Sequence, residues 1–228
     1  MIFPKLFTRS ILLLLLHISI HSSAQINDAQ LWENICLEKN ISPRLVARIV
    51  QEGRLTENYS RFSYNYFDMG LNYKFSKHIH GTIAYVWAEK ERLNTTWSAR
   101  HQLYGSLTFR KKFGDFTVND RQMLLWQVKD HYVSDDGRIP DYYLRNKLTI
   151  HYDKSFRWSP YMAAELYYHM DPKEYAAYRF DKFRTFAGIF YRTDKENEYE
   201  AYCMMERHPN TTAPQTNWVI GLGYTHTF

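Results

Sequence analysis

The last thirteen residues, T-N-W-V-I-G-L-G-Y-T-H-T-F from Thr216 to Phe228, alternate with a period of two. Trp218, Ile220, Leu222, Tyr224 and Phe228 fall on one parity, while Asn217, Val219, Gly221, Gly223, Thr225 and Thr227 fall on the other. Side chains of a strand point alternately to its two faces, so this stretch makes one face apolar and bounded by aromatics and the other small and polar. A soluble sheet seldom leaves such a face uncovered. A transmembrane barrel requires it, because its outer wall needs an apolar band between aromatic girdles and its inner wall is polar. The stretch therefore reads as the closing strand of an outer-membrane β-barrel, with Trp218 at the outer girdle and Phe228 at the periplasmic one.

The same alternation recurs upstream in pairs joined by short turns, the pattern of β-hairpins. The expected pairs are 29–38 with 44–54, 62–75 with 79–89, 99–111 with 116–129, 142–152 with 159–170, and 179–192 with 198–207. Phe67, Met69, Leu71, Tyr73 and Phe75, set against Asp68, Gly70, Asn72 and Lys74, form the clearest run. Longer polar connections lie near 55–61, 90–98, 130–141, 171–178 and 208–215. In outer-membrane barrels the short turns are periplasmic and the long loops extracellular. The fold class is thus all-β, an antiparallel transmembrane barrel of 10–12 strands. Eleven runs are visible with the closing strand, yet bacterial single-chain barrels have even numbers, so twelve is slightly favoured. If the first run is truly in the wall it must lie parallel to the last.

Export fits this reading. Lys5 and Arg9 precede an apolar run from Ile11 to Ile20, and Ser22-Ser23-Ala24 supplies small residues for cleavage. Residues 1–24 read as a signal peptide and residues 25–228 as the barrel. The location expected is the cell outer membrane, reached through the Sec pathway. Loss of Lys5 and Arg9 from 29 basic residues against 24 acidic ones leaves a mildly basic chain, which gives no reason to expect a nucleic-acid partner. The 19 Tyr, 14 Phe and 6 Trp suit interfacial girdles. Cys36 shares a face with Asn34 and Glu38, and Cys203 shares one with Tyr199, Ala201 and Met205. The two thiols then point to opposite sides of the wall and stay free.

The segments L-W-E-N-I-C-L-E-K, F-D-M-G-L-N-Y-K-F-S-K-H, H-Q-L-Y-G-S-L-T-F-R-K-K-F-G-D-F, Y-L-R-N-K-L-T-I-H-Y, S-P-Y-M-A-A-E-L-Y and I-G-L-G-Y-T-H-T-F carry a resemblance. Through them the chain resembles a family of short outer-membrane β-barrels of unknown function from Gram-negative bacteria. The resemblance covers nearly all of the chain after residue 24. It implies the fold and assigns no activity, because the shared segments are strands and turns rather than catalytic motifs.

Function should sit on the inner face. By parity that face receives Arg48, Arg100, Arg110, Arg121, Arg145, Lys147, Lys182 and Arg184, with Arg44, Lys74, Lys129 and Arg192. Its acids are Glu165, Glu198 and Glu200, with Glu52, Asp68 and Glu206. Two readings of this lining stay open. A basic wall attracts anions, so the barrel is a narrow passive channel for a small anionic solute. Alternatively, long side chains interlock in a narrow barrel, with Glu198, Glu200 and Glu206 neutralising Arg184 and Arg192. The barrel is then sealed and acts structurally or through its surface. A third reading, an outer-membrane lipid hydrolase, has only Ser98 and His101 as candidates, and these lack the nucleophile–base–orienter pattern. Asp130, Asp135, Asp136 and Asp141 offer hard oxygen ligands without the spacing of a calcium loop. His80, His151 and His169 share the inner face without zinc spacing, so no cofactor or metal is expected. The expected partners are outer-membrane lipid, lipopolysaccharide and, through the C-terminal strand, the barrel-insertion machinery.

Overall fold

The computed structural model describes residues 26–92, 96–134, 137–170, 180–209 and 214–228. The expected signal peptide falls outside them, as do all of the expected connection 171–178 and part of each of 90–98, 130–141 and 208–215. Eleven strands make up the fold: β1 (Ile26–Ser42), β2 (Leu45–Thr56), β3 (Arg61–Lys74), β4 (Ile79–Glu91), β5 (Trp97–Phe113), β6 (Phe116–Ser134), β7 (Gly137–Tyr152), β8 (Trp158–His169), β9 (Phe180–Arg192), β10 (Asn197–His208) and β11 (Gln215–Thr227). They close into one barrel in which each strand pairs with its sequence neighbours and β1 pairs with β11. Closure leaves no sheet edge, the condition for exposing a sheet to lipid.

The count is eleven, within the expected range and one short of the number favoured. The reason lies at the seam. β1 and β11 run parallel, in register from Ile26↔Gln215 to Glu38↔Thr227. All other pairs are antiparallel. An odd number of up-and-down strands leaves the first and last pointing the same way, so with the first run in the wall the closure is parallel, as the strand directions required. The seam is extended at its lower end, where the Phe228 amide donates to the Glu38 carbonyl (2.8 Å) and the Asn40 amide to the Phe228 carbonyl (3.3 Å).

Burial alternates along the wall. In β8, Ser159, Tyr161, Ala163, Glu165 and Tyr167 are buried, while Trp158, Pro160, Met162, Ala164 and Leu166 are exposed. Large apolar side chains on the opposite parity stand exposed around the barrel, among them Ile35, Ile49, Met69, Ile83, Leu103, Leu124, Leu148, Ile220 and Leu222. A soluble monomer rarely shows more than a few hundred Å² of continuous apolar surface. Here the surface is a belt, and aromatics bound it at both ends. Phe67 stacks on Trp87 at one end (centroids 6.0 Å apart), and Trp158 packs on Tyr191 at the other (4.3 Å). The interior-facing Cys36 and outward Cys203 are both free.

One end of the barrel carries the short turns after β1, β3, β5, β7 and β9; the other carries the connections after β2, β4, β6, β8 and β10, of which those after β8 and β10 are the longest. The connection expected over 130–141 is instead a continuation of the β6–β7 hairpin. Val133 pairs with Arg138 and Ser134 with Gly137, past an irregularity beyond Val128. Polar residues there resemble a loop in composition, but no breaker interrupts them before Gly137. At the same end the loop after β2 places Glu57, Asn58 and Tyr59 at φ 51°, 55° and 68°. This left-handed backbone costs about 1–2 kcal/mol per residue. The Tyr59 amide donating to the Ala29 carbonyl (3.3 Å) and the Asn58 amide donating to Asp28 Oδ1 (3.0 Å) hold it against the start of β1.

Candidate functional site: the barrel interior

Register arranges the inner wall. Lys74, His80, Thr108, Arg121, Lys147, Glu165, Arg184, Glu206, Asn217 and Asp28 are successive cross-strand partners from β3 through β11 to β1. Because barrel strands tilt, this row winds from the turn end to the loop end. Its lower part is basic. Its middle part alternates sign, and there the charges meet.

Glu165, 1% exposed, is the centre. It accepts from Arg121 and Arg145 at 2.8 Å each, and Arg184 approaches its other oxygen at 3.4 Å. The Arg121–Glu165 bond passes over the intervening strand β7. Arg184 also donates to Glu206 through Nε (2.6 Å) and to the Tyr167 hydroxyl, and Lys182 pairs with Glu206 (3.4 Å). Arg145 lies 4.3 Å over the Tyr167 ring and Lys147 lies 4.2 Å over Phe186. Planar guanidinium groups suit this packing because they bond in their plane and stack on their faces.

Above this layer, the buried Trp32 indole lies between two cations. Arg54 stands 3.6 Å and Arg184 5.2 Å from its ring. Arg54 also pairs with Glu52 (2.6 Å) and lies 4.4 Å over Tyr64. The contacts through Trp32 thus link β9 to β2 over the seam. Below the ion-pair layer, Arg48 bonds to Asp68 (2.9 Å) and to Tyr104, and the Tyr104 hydroxyl donates to Asp68 (2.7 Å). Buried Ala84, Val86, Ala88, Tyr104, Met123 and Leu125 pack together beside that cluster. Tyr202 lies against Gly221, where an added Cβ would collide with its ring. Glycine there lets an aromatic enter the space inside the wall.

The remaining residues expected on this face are distributed as follows. Glu198 pairs with Arg192 at 2.5 Å, as expected, whereas Glu200 accepts from the Tyr161 hydroxyl instead of an arginine. Arg100 and Arg110 share the inner parity but join none of these ion pairs. The Arg100 Nε is buried without a hydrogen bond among the described residues, and Arg110 stands exposed at the turn rim. Arg54, Trp32, Tyr104, Tyr161 and Tyr167 belong to the packed interior and were not singled out from sequence, although their parity was readable.

The hydrolase pair does not assemble. Ser98 is buried on the inner face, while His101 lies on the outer face with its Nδ1 2.7 Å from the Tyr85 hydroxyl. Three residues along a strand is an odd step, so the wall separates them. Of the acidic quartet, Asp141 faces inward and binds Lys129 at 2.6 Å, and Asp130 is exposed; Asp135 and Asp136 lie outside the described residues. No metal-holding cluster occurs among the described residues.

The matching protein-family model, described as "Protein of unknown function (DUF2490)", covers residues 29–226. The chain belongs to this family. The matched span runs from the first strand to the last, so the family is defined by the barrel itself. No protein of curated function matches. Among solved structures, the chain is similar to the beta domain of the Bordetella autotransporter BrkA, with 8% identity and TM-score 0.49 over 81% of this chain and 83% of that one. It is also similar to the NanC porin, with 11% identity and TM-score 0.48 over 79% and 87%. A bacterial polysaccharide outer membrane secretin matches with 12% identity and TM-score 0.43 over 78% and 73%.

Proposed function

We propose that this member of the DUF2490 family is an integral outer-membrane barrel whose lumen is closed at mid-height, and that it works by binding at its ends rather than as an open pore. One observation carries the reading: buried Glu165 gathers Arg121, Arg145 and Arg184, from the four neighbouring strands β6 to β9, into one knot on the inner wall. Arginines that line a conduit keep their charge for the solute. All three are paired here, and Arg145 and Arg184 are also stacked on Tyr167 and largely withdrawn from water. The exposed apolar belt supports the membrane location, with outer-membrane lipid and lipopolysaccharide as its surroundings. An outer-face groove of about 380 Å³, lined by Ile83, Leu103, Gly105, Leu124, Trp126 and Met170, has the shape and polarity for an acyl chain. By analogy with other such barrels, the turn end faces the periplasm and β11 is the strand read by the insertion machinery.

A narrow anion channel is the second reading, favoured by the excess of inward cations. Planar-bilayer recording of the folded protein separates the two. The closed barrel gives no conductance steps above baseline, and regular steps with anion selectivity would overturn it. Location is checked by fractionation: the folded protein should partition with outer membranes and migrate faster on gels before heating than after.

A further inference from the structure

We infer that a cavity at the turn end of the lumen is a binding site for a small solute bearing a phosphate or carboxylate group. The cavity holds about 400 Å³. It reaches Pro43 in the turn between β1 and β2, so it opens at the rim. Arg44, Arg48, Lys74, His80 and Arg121 line it, and no Asp or Glu does.

The charge state of this lining differs from that of the lumen above it. At mid-height each arginine of the knot has a carboxylate in contact. At the rim, Arg44 and Lys74 form no side-chain ion pair among the described residues. Deeper in, Arg48 and Arg121 are held from above by Asp68 and Glu165, which fixes their guanidinium groups at the cavity boundary. Each keeps a buried Nε without a hydrogen bond among the described residues, and so does His80 Nε2. Those atoms are turned into the wall, so what the cavity offers a solute is the uncompensated charge of Arg44 and Lys74 backed by the fixed Arg48 and Arg121 guanidinium groups, and an anion supplies the opposite charge. The neutral lining is mixed: Thr82 donates to Asn72 (2.8 Å), with Ser106 and Thr108 beside them, and Val46, Tyr73, Tyr104 and Met123 complete the wall. Cations around one part, with hydroxyls and apolar or aromatic side chains around the rest, match a phosphorylated sugar or a sugar acid, which has an anionic group, hydroxyls and a ring face, better than a bare inorganic ion.

The inference uses the proposed closed lumen only for the floor of the site. Binding and conductance are therefore separate readouts. Steps in the bilayer with retained binding would sink the closed barrel and leave the site; silence without binding would do the reverse.

The test uses the full chain in phosphatidylcholine nanodiscs, with glucose 6-phosphate as probe and titration calorimetry as readout. Saturable binding that weakens with added salt is expected, with none for glucose. The double variant R44E/K74E should weaken binding at least about tenfold, the change of one modest charge contact. Lys154→Glu, at another turn of the same rim outside the cavity, should leave it unchanged. Lys74→Met, which removes a charge without reversing it, serves if the double variant fails to fold. No binding of the phosphate sugar, equal binding of glucose, or an equal loss in K154E would each overturn the site. Orthophosphate binding as well as the sugar phosphate would support it, with recognition resting on the phosphate. Nanodiscs containing phosphatidylglycerol separate the two sources of such a group. Loss of probe binding there assigns the site to a lipid headgroup, and retention assigns it to a soluble solute.

Discussion

Replacing Glu165 by alanine tests the interior knot directly. Its carboxylate accepts from Arg121 and Arg145 at 2.8 Å and meets Arg184 at 3.4 Å. Arg184 keeps Glu206 at 2.6 Å when Glu165 is removed, so Arg121 and Arg145 are the groups left without a carboxylate. Breaking a buried pair by deleting one partner costs about 3–5 kcal/mol. The Arg121 side chain is 31% exposed and regains water more readily than the 18% exposed Arg145, which places the loss near the lower figure. Urea unfolding of the protein in lipid vesicles should therefore show E165A destabilised by about 3 kcal/mol. The freed guanidinium groups repel one another and part, so on the proposed closed-lumen reading the same variant should show anion-selective conductance and the parent none. E165Q keeps the volume and an acceptor oxygen and should fall between the two. An E165A barrel within about 1 kcal/mol of the parent, and silent in the bilayer, would show that Glu165 neither holds the arginines nor closes the lumen.

The wall and the turns give further expectations. Gly221→Ala should destabilise the barrel by about 1–3 kcal/mol through collision with Tyr202, and Tyr202→Ala in the same chain should recover most of it. Leu222→Arg, in the middle of the lipid-facing band, should cost about 2–4 kcal/mol in vesicle refolding, and an unaffected midpoint would place that residue outside the membrane. Cys203 should react with a membrane-permeant maleimide in the folded state, while Cys36 should require unfolding. In the exposed turn after β9, hydrogen bonds from Asn197 and from the Glu196 amide draw the Asp194 carboxyl down to about 2. A depressed carboxyl stabilises the turn above its ordinary range near pH 4 and loses that contribution as pH falls through about 2. Exchange at the Glu196 and Asn197 amides should accelerate across that window.

Much of the wall was legible because period-2 alternation is a local property. Trp218, Ile220 and Leu222 announce their outward face from neighbours two residues away, and the strand bounds lie within a few residues of those expected outside the β6–β7 hairpin. The interior was legible only by sign. Parity assigns Arg121 and Glu165 to the lumen, but their contact depends on strands two places apart in the barrel, and register across β7 is not a local quantity. The same limit explains why Glu200 meets Tyr161 rather than an arginine. Ser98 and His101 were separable from sequence, since three residues along a strand is an odd step, and the structure places them on opposite surfaces. The extended hairpin was missed because polar composition at 130–141 reads as loop, whereas cross-strand pairing resumes at Val133 with Arg138 and reaches Ser134 with Gly137.

The parallel seam makes the molecule polar as a whole object. Ile26 begins at the loop rim and Phe228 ends at the turn rim, so a reporter ahead of the first strand and one behind the last would lie in different aqueous compartments. A barrel with an even strand number returns both to the same side. Nine strands separate β1 from β11 in sequence, so the seam joins the two ends of the chain and is the pairing with the greatest loop to close.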